Sequence, residues 1–194
     1  MLKDEIILKS MKLFSLKGYA NTGVDEIIKA VGSSKGGFYN HFASKEELFY
    51  EVLAKAQRMW RERVLYGLNE LESPVGKIIK LLENYRDRYL LDGENFPGGC
   101  IFVTFSVELD HQQPQLIEEV NKGFIGLQNM LKRLLKEGIK SGELISEVDP
   151  TMMSVLIFAG MLGASVLFGV EKSPESLHKT IQSLIDTINK SKQK

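Results

Sequence analysis

Apolar residues recur along this chain every three or four positions and nowhere in sustained alternation, so the elements it predicts are helices. In residues 3–18, Ile7, Met11 and Phe14 share one face and Gly18 stands just past the end, the pattern of a first helix. Thr22 and Asp25 have the spacing of an N-terminal cap. Val24, Ile27, Ile28 and Val31 then fall at i, i+3, i+4 and i+7, which predicts a second helix of about two turns. Gly32 supplies the left-handed backbone of a tight turn, and the hydroxyls of Ser33 and Ser34 serve the open amides of a third helix, where Phe38 and Phe42 anchor one face. Ser44-Lys45-Glu46-Glu47 is a capping box at the head of a longer helix carrying Leu48, Phe49, Val52, Leu53, Ala56 and Trp60.

Beyond this point prolines punctuate the chain. Ser73-Pro74, Asp149-Pro150 and Ser173-Pro174 each pair a capping residue with proline at the first helical position, and Pro114 reads the same way. The faces that follow agree: Val75, Ile78, Ile79, Leu82 and Tyr85; Ile117, Val120, Phe124, Leu127, Leu131 and Leu134; Leu177, Ile181, Leu184, Ile185 and Ile188. The charged tail after Asn189 is expected to fray. The fold class is all-α, divided as 1–46 and 47–194, with the boundary inside the helix that begins at Lys45.

The third helix is the one whose composition stability does not explain. Gly36 and Gly37 each weaken an isolated helix by about 1 kcal/mol relative to alanine. A bare backbone permits close approach to another surface, and Lys35, Tyr39, Asn40 and His41 are donor types that reach phosphates and base edges. The net charge is +0, but from Ile27 to Lys45 the chain carries three lysines and a histidine with no acidic residue. Charge is therefore local to the place where DNA would lie.

In its residues 22–49 the chain resembles the DNA-binding domain of the TetR (tetracycline repressor) family of bacterial transcription regulators. The resemblance rests on Val24-Asp25-Glu26-Ile27, Ser34-Lys35-Gly36-Gly37-Phe38-Tyr39, His41-Phe42 and Ser44-Lys45-Glu46-Glu47-Leu48-Phe49, in family order and spacing. Ile28 and Ser33 depart from it, standing where alanine and valine are common. The resemblance implies a three-helix helix-turn-helix domain, a larger helical ligand-binding and dimerisation domain, a homodimer, and repression of a double-stranded operator released by a small-molecule inducer. By position it places Gly37 and Tyr39 at the major groove and Thr22, Ser34, Lys35, Asn40, His41 and Lys45 on the DNA backbone. An activator, or a regulator answering to a protein, would share these features.

Residues 150–170 carry no charge and are long enough to cross a bilayer. A helix apolar all round can equally be buried between its own domain and a second subunit. The amphipathic neighbours, the scattered Ser, Thr and Gly and the lack of a flanking basic cluster favour burial over a membrane-anchored sensor. Gly160, Gly163 and Ala164 would admit a partner helix, and with Ile181, Leu184, Ile185 and Ile188 they form the expected dimer interface.

For an inducer, Trp60, Tyr85, Tyr89, Cys100, Phe102, Phe105, Phe124 and Phe158 are the aromatic and apolar candidates to line a pocket. Gly98-Gly99-Cys100 resembles a segment at the start of the sixth helix in a subset of TetR-like regulators. There Cys100 is either a sensor of electrophiles, its thiol activated by helix amides, or a small packing residue. One cysteine permits no intramolecular disulfide, and Lys3-Asp4-Glu5 is no secretory signal, so the cytoplasm is the expected location. Glu108 and His111 form a single Glu-x-x-His, but a di-iron bundle needs a second copy. Cys100 with His111 lacks any nucleophile motif, and no phosphate-binding glycine loop occurs. The chain is thus expected to be no enzyme and to need no metal or cofactor.

Overall fold

The structure, a computed structural model, describes residues 1–109, 113–171 and 173–193; His111 lies outside them. The helices are α1 (Leu2–Lys17), α2 (Val24–Val31), α3 (Lys35–Tyr39), α4 (Lys45–Val64), α5 (Pro74–Asn84), α6 (Ile101–Glu108), α7 (Pro114–Lys140), α8 (Pro150–Glu171) and α9 (Pro174–Lys190). A π-helical turn, Tyr85–Leu90, prolongs α5. Among the described residues there is no strand, only an isolated bridge between Leu144 and Lys192.

The starts of these helices follow local chemistry. Ser34 Oγ accepts from the Gly37 amide at 3.0 Å, and Ser44 Oγ accepts from that of Glu47 at 3.0 Å while the Glu47 carboxylate accepts from Ala43 N–H at 2.7 Å. Ser73, Asp149 and Ser173 likewise accept from first-turn amides beside their prolines. The α2 cap differs from expectation. Gly23 precedes the helix with no side-chain cap, while Thr22 is fully buried and its hydroxyl donates to the Gly18 carbonyl at 2.7 Å.

Packing groups the residues into two compact units, Met1–Met59 with Asp92–Asn121, and Trp60–Leu91 with Lys122–Lys194. The contact boundary in α4 therefore falls after Met59, not at residue 46. The first unit reaches beyond the three N-terminal helices because α6 packs into it: Phe105 lies 6.2 Å from Phe14 and 4.8 Å from Phe49 between ring centroids, and Tyr19 stands edge-on to both Phe14 and Phe49. Its loop before α6 runs against α1, with Ser15 Oγ accepting from the Gly98 amide at 3.1 Å.

Among the described residues of this unit, one buried polar side-chain atom has no partner. Ser10 Oγ, on α1, is buried and unbonded. Ser10→Ala removes a desolvated hydroxyl and improves helix propensity, so it should stabilise the protein by about 1 kcal/mol, or roughly 2–4 °C in Tm. Thermal melting of the two proteins checks this, and a lower Tm for the variant would contradict it.

In the second unit α8 crosses α9 at Gly160, where a Cβ would meet Leu184 Cδ2 at 2.7 Å. Asn84 ties the head of this unit together by donating to the carbonyls of Val64 and Tyr66 at 3.1 and 2.8 Å. The tail does not fray as far as it is described: Ile145 N–H donates to Ser191 O and Gln193 N–H to Glu143 O, both at 3.0 Å. Main-chain pairing outweighs the solvation of the flanking lysines there.

Candidate nucleic-acid interface

The α2–α3 pair is built for a turn. Gly32 adopts φ +71°, and its amide and that of Ser33 return to carbonyls of Lys29 and Ile28. On α3 and the turn that follows it one face is fixed inward, Phe38 in the helix and Phe42 just past its end being 1% exposed or less with rings 5.7 Å apart. The other face is open. Lys35, Tyr39, Asn40 and His41 are all exposed, Tyr39 to 53%, its ring edge-on against Phe38 at 5.2 Å.

The two glycines divide their roles in a way spacing did not reveal. A Cβ on Gly37 would press into the Ser33 hydroxyl and lie 3.6 Å from Leu2, so that position faces the protein. At Gly36 the nearest atom is Ser34 Oγ at 3.9 Å, so Gly36 presents the bare surface. A second feature that spacing does not show is the start of α2. With Gly23 open and no side-chain cap, its first-turn amides suit a phosphate.

Two residues expected at the DNA backbone are engaged within the fold. Thr22 is fully buried and its hydroxyl proton is committed to Gly18. Lys45 Nζ donates to Tyr19 O at 2.7 Å and Thr22 O at 2.8 Å and lies 4.2 Å from the Tyr19 ring centroid. Burial lowers the pKa of this ammonium from the usual lysine value, with the nearby Glu108 charge working in the opposite direction. Lys45 therefore braces the α1–α2 loop. Lys35 remains on the surface, 3.1 Å from Asp25, in a pair so exposed that a phosphate can displace the carboxylate.

The other candidates divide between the units. Cys100 is buried at the N-cap position of α6, Phe102 is buried, and Phe105 belongs to the aromatic core of the first unit. In the second unit Tyr85 and Tyr89 stack at 5.8 Å, the Tyr85 hydroxyl donates to Met161 O at 3.2 Å, and Phe124 meets Phe158 edge-on at 5.3 Å. Trp60 is half-buried.

The interface expectation is corrected. Ile181, Leu184, Ile185 and Ile188 are 7% exposed or less, and Ala164 is fully buried, so they have no surface left for a second chain. Gly160 is filled by Leu184; of the three small residues, Gly163 alone is open. What α8 does expose is a stripe at helical spacing, Met152, Val155, Leu156, Ala159, Gly163, Val166, Leu167 and Val170, with Met152 and Val170 more than 70% exposed. Only 33% of the most apolar window of this membrane-length helix is buried.

A short helix with a buried aromatic face, an open donor face and a glycine turn before it defines a helix-turn-helix DNA-binding protein. Residues 6–52 match the family model for bacterial regulatory proteins of the tetR family, and residues 74–184 match that for the tetracyclin repressor-like C-terminal domain. The chain belongs to the TetR family of transcription regulators. A TetR transcriptional regulator from Chloroflexus aurantiacus is 30% identical with a TM-score of 0.90, the match covering 98% of this chain and 96% of that one. The HTH-type transcriptional repressor DhaR of Mycobacterium sp. (strain GP1) is 24% identical over 96% of this chain and 91% of its own. The fold also matches AibR, solved with isovaleryl coenzyme A and operator DNA, at 17% identity and a TM-score of 0.74 over 96% of this chain and 97% of that one.

Proposed function

We propose that the protein is a homodimeric, cytoplasmic repressor that occupies a palindromic operator with one α3 per subunit and leaves it when a small molecule binds the C-terminal helices. The observation that carries the DNA-binding part is the two-sided α3: Phe38 and Phe42 lock its inner face, so Lys35, Gly36, Tyr39, Asn40 and His41 are presented rigidly outward. Ser34 adds a hydroxyl at the N-cap, and the open start of α2 adds amides for a phosphate. Tyr39 is the residue placed to read bases. Tyr39→Ala should leave low-salt binding to random DNA intact and reduce preference for the operator by about 1–3 kcal/mol, measured by gel shift on a duplex selected by the parent protein. Undiminished preference would remove Tyr39 from the readout.

Dimerisation is supported by the α8 stripe. A bilayer would be served by a helix apolar all round, but the inner face of α8 is already occupied by α9 and carries buried Ser154 and Ser165. One exposed apolar face is what a second copy, related by a two-fold axis, would cover. DhaR's description as a repressor and AibR's complex with an acyl-coenzyme A and operator DNA support repression and small-molecule control here. Tyr85, Tyr89, Phe124, Phe158 and Trp60 remain the proposed ligand-facing residues of the second unit. Cys100, buried at the head of α6, is a packing residue in this reading, and the inducer acts without forming a covalent bond.

A further inference from the structure

Glu108, the last residue of α6, is notable in the sequence only as half of an incomplete metal motif. Its carboxylate has another use. Oε2 accepts from the Tyr19 amide at 2.6 Å and Oε1 from the Ala20 amide at 2.7 Å, two charge-assisted bonds across 89 and 88 residues of sequence. The cradle depends on Gly18, whose φ of +84° turns the two amides to one side and whose absent Cβ would otherwise lie 2.5 Å from the carboxylate. On the same loop Lys45 takes the carbonyls of Tyr19 and Thr22, and Thr22 closes onto Gly18. The segment that delivers the chain into α2 is therefore held by one anion from α6 and one cation from α4.

We propose that Glu108 is a positioning residue for operator binding: through residues 18–22, the end of α6 sets where α2, and α3 behind it, stand for DNA. This rests on the DNA-binding reading above. Because both bonds share one carboxylate, a displacement of α6 by about 1 Å lengthens both beyond hydrogen-bonding range together. Lys45 keeps its grip on the carbonyl side, so the loop shifts and the core of the unit stays closed. The grip is thus a point where movement of α6 reaches the DNA-reading helices without unfolding them.

The test is Glu108→Gln in the full-length protein, an isosteric change that leaves one acceptor and sets an NH2 group against the second amide. Operator preference over random duplex should fall about tenfold, and hydrogen exchange should quicken at residues 19 and 20 and through α2 and α3 but not in α4. Met11→Ala, a cavity in the core of the same unit, is the control: at temperatures well below its midpoint it should keep the parental preference even if its Tm falls further. If Glu108→Gln folds poorly, Glu108→Asp, which keeps the charge but retracts it by one methylene, should show the same loss. Parental preference in these Glu108 variants would overturn the proposal, as would an equal loss in Met11→Ala. A parent protein that selects no duplex from a random pool would overturn the DNA-binding reading first, and this one with it.

Discussion

Gly163→Glu should convert the protein from dimer to monomer and lower operator affinity by roughly 10²–10⁴-fold, because two half-sites linked through one dimer bind with an avidity that single subunits lack. The position makes the test clean. Apart from its chain neighbours and the backbone of its own helix, no atom of the described residues lies within 4 Å of a Cβ built on Gly163, so the subunit accommodates the new side chain. Glutamate is also the better helix former, by about 0.5–1 kcal/mol over glycine. Any loss must then arise between subunits. There, two-fold symmetry places the change on both sides of the interface, and an unpaired carboxylate buried among Leu156, Ala159, Val166 and Leu167 costs about 3–5 kcal/mol. Sedimentation and gel shift read the two effects separately. A variant that still sediments as a dimer would put the interface on another face.

The second large effect is expected at Gly98. A Cβ there would overlap the carbonyl oxygen of Ser15, with the Ser15 carbonyl carbon at 2.5 Å and Leu16 N at 3.0 Å. Those are backbone atoms of α1 and cannot step aside as a side-chain end can. Gly98→Ala should therefore cost about 3 kcal/mol, or roughly 6–12 °C in Tm, and loosen the loop that leads into α6. Gly99→Ala is the comparison: its φ of +93° imposes about 1–2 kcal/mol of backbone strain, but nothing lies within 4 Å of the new methyl. Equal melting of Gly98→Ala and the parent would mean that the loop does not press on α1. The pair of glycines before Cys100 is thus explained by close approach at one position and by chain reversal at the other, with no reference to thiol chemistry.

Features governed by neighbours within about four residues are legible in the sequence. The capping hydroxyls of Ser34 and Ser44, the prolines that open α5, α7, α8 and α9, the stop at Gly32 and the anchoring of α3 by Phe38 and Phe42 depend on hydrogen bonds and spacings internal to one turn of helix. So does the open donor face of α3, which is simply the side its phenylalanines do not occupy.

What only the tertiary structure decided involves partners far away in sequence. A lysine side chain on the first turn of a helix can reach a phosphate or a carbonyl, and the choice of Tyr19 and Thr22 for Lys45 follows from how α1 and α4 pack. Thr22 satisfies the local rule for a cap, yet burial of the α1–α2 loop turns its hydroxyl to Gly18. The direction of a missing side chain is likewise unwritten in the sequence, so Gly37, expected at the groove, faces the protein and Gly36 presents the bare backbone. In α8, uncharged from residue 150 to 170 with apolar residues on every side, periodicity carries little information about which face is inside. Packing within the second unit buries Ser154, Ile157, Met161, Ala164 and Ser165 and leaves Val155, Leu156, Val166 and Leu167 outward. The sequence by itself determined most of the helices, the starts capped by serine, aspartate and proline and the open face of α3, because short-range backbone chemistry suffices for them. The faces, the brace at Lys45 and the hold of Glu108 on the α1–α2 loop were decided by packing, because burial and long-range hydrogen bonds exist only once the chain has folded.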